Sequence, residues 1–138
     1  MKKLFLILGL GLSLSAYSQI VVKETSKDSV VWHNKLSGLP KLVCFYTSER
    51  SDYTFYFQNA KYTTITDIKY LSLGDIETAK EFFNLLLGIA NGGEKLTIEL
   101  DEETWIISKS MGAVSVWSSY KSFYLTKKNI ETILESLK

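Results

Sequence analysis

The feature that most restricts the fold is a strand-to-helix junction that occurs twice. Tyr70-Leu71-Ser72-Leu73-Gly74-Asp75-Ile76-Glu77-Thr78 aligns with Tyr124-Leu125-Thr126-Lys127-Lys128-Asn129-Ile130-Glu131-Thr132. In each copy an apolar strand ends at Leu71 or Leu125. Ser72 or Thr126 follows, with a hydroxyl suited to cap the first free amides of a helix. Asp75 or Asn129, three residues on, suits the returning bond of a capping box. Ile76 and Ile130 start an apolar stripe. Glu77 and Glu131 put negative charge in the first turn, where the helix dipole favours it. The same offset extends without a gap over residues 41–84 and 95–138, placing Lys41-Leu42 on Lys95-Leu96, Glu49 on Glu103 and Glu81 on Glu135. This reads as a duplicated unit. The alternative is that only the junction is shared.

Periodicity supplies the elements around the junctions. Ile76, Ala79, Phe83, Leu86, Leu87 and Ala90 keep a helical spacing, and Phe82, Leu85 and Ile89 widen that face. They predict a well-buried helix from about Leu73 to Ala90, stopped by Asn91-Gly92-Gly93. Ile130, Ile133, Leu134 and Leu137 predict a second, shorter helix from Lys127 to Leu137. Runs rich in β-branched and aromatic residues predict strands over 30–33, 42–47, 53–58, 65–71, 95–100, 104–108, 113–118 and 121–125. Successive strands joined by short turns imply an antiparallel sheet. The expected fold is α+β: an antiparallel sheet with two helices packed on one face, built from two βββα repeats related by a pseudo-twofold.

The N-terminus sets the compartment. Lys2-Lys3 precede an apolar run from Leu4 to Leu14, and Ala16-Tyr17-Ser18 puts small residues before Gln19. This is the layout of a secretory signal peptide. Residues 1–18 are therefore expected to be cleaved, leaving one α+β domain over 19–138, exported to a bacterial periplasm or beyond. The apolar run is too short for a spanning helix, which needs about 20 residues, so no membrane span is expected after cleavage. Residues 19–29 read as an edge strand or a lead-in.

Charge and cysteine content narrow the partners. Loss of Lys2 and Lys3 takes the formal charge from +1 to −1. A near-neutral chain without a basic patch is not expected to bind nucleic acid, which requires clustered Lys and Arg. Cys44 is the only cysteine, so no internal disulfide forms, and the core must hold the domain. Cys44 sits in the apolar run Leu42-Val43-Cys44-Phe45-Tyr46 and reads as a buried thiol.

Several constellations are candidates for chemistry. A hairpin turning at Gly38-Leu39 would place His33, the only histidine, opposite Cys44, the closeness that a thiolate–imidazole dyad requires. Cys44 lacks an activating helix N-terminus, and the plainer reading is a histidine at the sheet margin beside a buried thiol. Glu99, Asp101, Glu102 and Glu103 form the densest acidic cluster, suited to paired-carboxylate hydrolysis or to calcium. They fall at a hairpin tip, where charges are simply solvated. No Gly-x-Ser-x-Gly elbow occurs, and Gly92-Gly93-Glu94-Lys95 follows a helix and reads as its stop. No catalytic residue, metal site or cofactor is assigned.

Aromatic residues supply the remaining candidates. Tyr53, Phe55 and Phe57 alternate with Thr54, Tyr56 and Gln58, so both faces of that strand carry aromatic bulk. One face should meet the helices. The other is expected to present Tyr56, Tyr62, Trp105 and Trp117 to a protein or glycan partner, unless N-terminal residues cover it. The expected function is a small exported, non-enzymatic binding module. The alternatives are a structural protein that self-associates through an open sheet edge or its Tyr-rich face, and a small hydrolase.

Overall fold

Among the described residues, polar turns separate apolar runs into eight strands and two helices, in the order ββββα twice over. The computed structural model describes residues 27–61 and 64–138. The first half comprises β1 (Lys27–His33), β2 (Lys41–Tyr46), β3 (Ser51–Gln58), β4 (Ile68–Gly74) and α1 (Ile76–Ala90). The second comprises β5 (Leu96–Leu100), β6 (Glu103–Ser110), β7 (Ala113–Trp117), β8 (Ser122–Thr126) and α2 (Lys127–Ser136). Residues 1–26, with the expected leader and Gln19, lie outside the described residues, as does Tyr62. No helix among the described residues is long and apolar enough to cross a membrane.

The expected α+β class holds, but the strands form two antiparallel four-stranded sheets in place of one. Their orders are β1-β2-β3-β4 and β5-β6-β7-β8. The offset that aligns the two junctions carries β4 onto β8, yet it carries β2 onto β5. The sequence match is therefore in register with the shared strand order at the junctions and out of register with it upstream.

The two helix starts differ. Thr126 caps α2 as expected, accepting a hydrogen bond from the Asn129 amide at 3.2 Å. Ser72 does not cap α1, because β4 continues past it. Gly74 takes a φ of 71°, which lets the chain leave the strand. Asp75 then becomes the cap, accepting from the Thr78 amide at 2.8 Å. That bond is the main reason its carboxyl titrates below the usual range.

One core joins both halves. Strand alternation turns Leu42, Phe55, Phe57, Leu71 and Leu73 inward from the first sheet, and Trp105, Ile107, Val114, Val116, Phe123 and Leu125 inward from the second. Phe82, Phe83 and Leu86 of α1 and Ile130 and Ile133 of α2 join the same core. Phe123 packs at a tilt against Phe55 and Phe57 across the halves, with ring centroids 5.0 and 4.6 Å apart. Each fully buried ring of this kind contributes about 1.5–3 kcal/mol.

A polar seam closes the sheets against each other. Asn59 is fully buried. Its Nδ2 donates to Asp67 Oδ2 at 3.0 Å and to the Tyr120 carbonyl at 2.7 Å. Its Oδ1 accepts from the amides of Lys61 and Ser122. All the side chain's bonding capacity is used, so the residue is a structural tie. The Asn59 bond is also the main cause of the lowered Asp67 pKa.

Candidate functional site

Period-two alternation decides what lies on the helix-free side of the first sheet. Phe55 and Leu71 face the helices, so their neighbours Tyr56 and Tyr70 face out. Strand register sets Lys41 opposite Tyr56, and Tyr56 opposite Tyr70. The result is a row, Lys41–Tyr56–Tyr70, running across three strands. The two rings are tilted, with centroids 6.2 Å apart. The Lys41 ammonium lies 5.5 Å from the Tyr56 centroid. Tyr56 is half-buried, whereas Tyr70 is 57 % exposed.

Tyr70 is also braced from the second sheet. The Lys121 ammonium lies 5.9 Å from the Tyr70 ring and 5.9 Å from the Trp105 ring. It pairs with Glu103 Oε1 at 2.6 Å, and the Ser118 hydroxyl donates to the other Glu103 oxygen at 3.1 Å. The Lys121 hydrogen bond chiefly holds the Glu103 carboxyl below the usual carboxylate range, and burial opposes it. Part of the expected acidic cluster is thus a brace.

The four residues expected to share one aromatic surface do not all lie on it. Tyr56 lies on the outer face of the first sheet. Trp117 is 40 % exposed, but on the outer face of the second sheet, opposite Ile106 and Ser122. Trp105 must be corrected: it is fully buried and points toward the helices. Its strand has apolar residues on both faces, Trp105 and Ile107 on one and Ile106 on the other, so composition does not choose between them. The indole N–H donates to the Leu100 carbonyl at 3.2 Å, which removes the cost of burying it. Tyr62 is outside the described residues. Tyr70 and Tyr124, both more than half exposed, belong among the outer aromatics. Their signal is their place beside Leu71 and Leu125, which alternation turns inward.

The His33–Cys44 juxtaposition is also corrected. His33 pairs with Lys41, and Cys44 pairs with Ser29 and Tyr53. The turn centres nearer Ser37 than Gly38-Leu39, and a bulge between Val30 and Trp32 shifts the register again. The His33 ring instead lies with Nδ1 3.2 Å from the Asn34 carbonyl. The buried thiol of Cys44 meets Tyr53, whose phenol pKa is raised by burial first and by the thiol second.

Asp101 and Glu102 are the two central residues of a tight hairpin between β5 and β6, with φ values of 54° and 61°. Positive φ at both positions is the signature of a type I′ turn. Asp101 also accepts from the Ser72 amide, at 3.4 Å. Glu99 accepts from the Thr104 hydroxyl at 2.6 Å. No cluster of three or more metal-ligating side chains occurs among the described residues.

A groove of about 720 Å³ lies between α2 and the loop that follows β1, lined by Trp32, Asn34, Lys35, Lys128, Thr132 and Glu135 among others. Among its lining residues, Trp32 Nε1 donates to Thr132 Oγ1 at 2.9 Å. The aromatic row offers ring faces, phenol hydroxyls and an ammonium, which are groups for recognition. Comparison with family models, with curated proteins and with solved structures returned no match.

Proposed function

We propose that this chain is an exported binding module whose partner, an envelope or extracellular glycan or protein, seats on the Lys41–Tyr56–Tyr70 row. The observation that carries the reading is Tyr70. Its ring is more than half exposed while lying between the Tyr56 ring and the Lys121 ammonium. A ring held in place before contact loses little rotamer freedom on binding, and an amphipathic tyrosine suits both sugar faces and protein surfaces. Lys41 adds a donor at the end of the row. The leader-like N-terminus supports an extracytoplasmic setting.

The test places a photo-crosslinking amino acid at position 70 in the producing cell. In parallel, purified protein is titrated with soluble envelope oligosaccharides by calorimetry. A crosslinked protein, or a glycan isotherm weakened at least tenfold by Tyr70→Ala and Tyr56→Ala, supports the reading. No crosslink together with isotherms indifferent to both substitutions rejects it. A crosslink only to a second copy assigns the face to self-association.

A further inference from the structure

We infer that the free edge of β5 is a self-pairing surface, joining two copies of this chain through antiparallel β5–β5 contact. Each sheet has two edges, and they are not equivalent. The Ser72 amide of β4 is occupied by Asp101, and both backbone groups of Ser122, at the start of β8, are bonded by Ala60 and Asn59. β1 is broken by a bulge, a common protection against pairing. β5 pairs with β6 without irregularity. Among the described residues nothing pairs with its other side.

The hairpin fixes which groups that edge presents. Leu100 and Glu103 flank a two-residue turn and so form a hydrogen-bonded pair. Alternation then directs the backbone groups of Leu96, Ile98 and Leu100 to β6, and those of Thr97 and Glu99 outward. Beside this edge run two adjoining hollows of about 390 and 300 Å³, between β5 and α1. Phe82, Leu85 and Ile98 line them together with Glu81, Glu94 and Glu99. A strand added here would set alternate apolar side chains against the apolar part of this lining, Phe82, Leu85 and Ile98.

The sequence of β5 is complementary to itself. A twofold axis at Ile98 places Ile98 against Ile98 of the second copy, and Leu96 against Leu100. Thr97 falls opposite Glu99, so the two outward-facing residues of each strand meet as hydrogen-bonded pairs. Beyond the strand, Lys95 lies toward the hairpin turn that carries Asp101, whose carboxylate already accepts from the Ser72 amide. No like charges meet within the strand. In the second sheet α1 lies closest to β6 and β7. Helices over the two β6 strands would stand three strand spacings apart, about 14 Å, which clears their diameter of about 10 Å. So short a strand gives an interface at the small end of the specific range, below about 1,200 Å². The dimer should therefore dissociate on dilution.

The experiment is sedimentation of the full-length gene product, purified after expression, over a concentration series. The expected mass rises from one chain to two. Thr97→Pro removes an outward amide at an edge position that tolerates proline in the monomer. It should hold the mass at one chain while the circular dichroism spectrum stays unchanged. Ile98→Cys should form a disulfide-linked dimer under mild oxidation, because the axis brings the two positions together, whereas Thr97→Cys should not. A monomer at every concentration overturns the inference, as does a dimer that persists in Thr97→Pro or a crosslink that ignores register. If Thr97→Pro unfolds, the cysteine pair decides alone. Binding of an alternating apolar peptide by a chain that stays monomeric would assign the edge to a different occupant and likewise overturn it.

Discussion

The two halves of the molecule share strand order and differ in how the strands are joined. In the second half, β5–β6 and β6–β7 are tight hairpins with positive φ at Asp101-Glu102 and at Met111-Gly112. In the first half, residues 34–40, 47–50 and 59–67 make longer connections. The difference separates tasks. Long connections carry the α2 groove and Asn59, and the first sheet carries the aromatic row. Tight hairpins leave the second sheet regular, with no register shift between its strands. Surface features follow the loops and the outward residues, while the inner faces of both halves serve one core.

The comparison breaks most sharply at the contact between halves. Phe123→Ala removes the ring that meets Phe55 and Phe57, and should cost about 3–5 kcal/mol. Urea unfolding followed by tryptophan fluorescence should show one transition moved to lower urea. Two transitions would mean that the halves unfold separately. Asn59→Ala should follow at about 2–3 kcal/mol, because the Ser122 and Lys61 amides and the Tyr120 carbonyl lose their partner inside the seam. A cost near zero by the same measurement would show that water replaces the tie.

The helix caps give a finer contrast. Thr126→Ala should cost about 1 kcal/mol, and by the same amount at acid and neutral pH, since a hydroxyl does not titrate there. Asp75 behaves differently, because its folded pKa lies below its unfolded one. Its contribution is complete above the ordinary carboxylate range and is lost as the pH falls through the lowered value. The penalty of Asp75→Ala should therefore shrink on acidification. Unfolding curves at several pH values check this, and equal pH dependence for the two variants would refute it.

The smallest effect has the opposite sign. Glu102 occupies a left-handed conformation that costs a non-glycine residue about 1–2 kcal/mol. Glycine relieves that cost and adds freedom to the unfolded chain. Glu102→Gly should raise stability by a net of about 0.5–1 kcal/mol in thermal unfolding. The longer loops of the first half contain no non-glycine residue at positive φ among those described, so the gain is specific to the tight hairpins.

The chain's own pattern determined much of this protein. Alternation and helical period located eight strands and two helices, because these periods express which side of an element meets the core. Thr126, Asn91-Gly92-Gly93 and the acidic hairpin tip were legible from local chemistry alone. Tertiary structure decided the rest. It chose Asp75 over Ser72 as a cap, because β4 extends to Gly74. It buried Trp105 on a strand whose two faces are both apolar. It moved His33 away from Cys44 through a turn centre and a bulge, since register depends on loop geometry that residue types constrain weakly. It split eight strands between two sheets, because no local signal says which strand edges will pair and which will meet a side chain such as Asp101 or Asn59. Local periodicity reports the faces of an element; only the packed molecule reports its edges and neighbours.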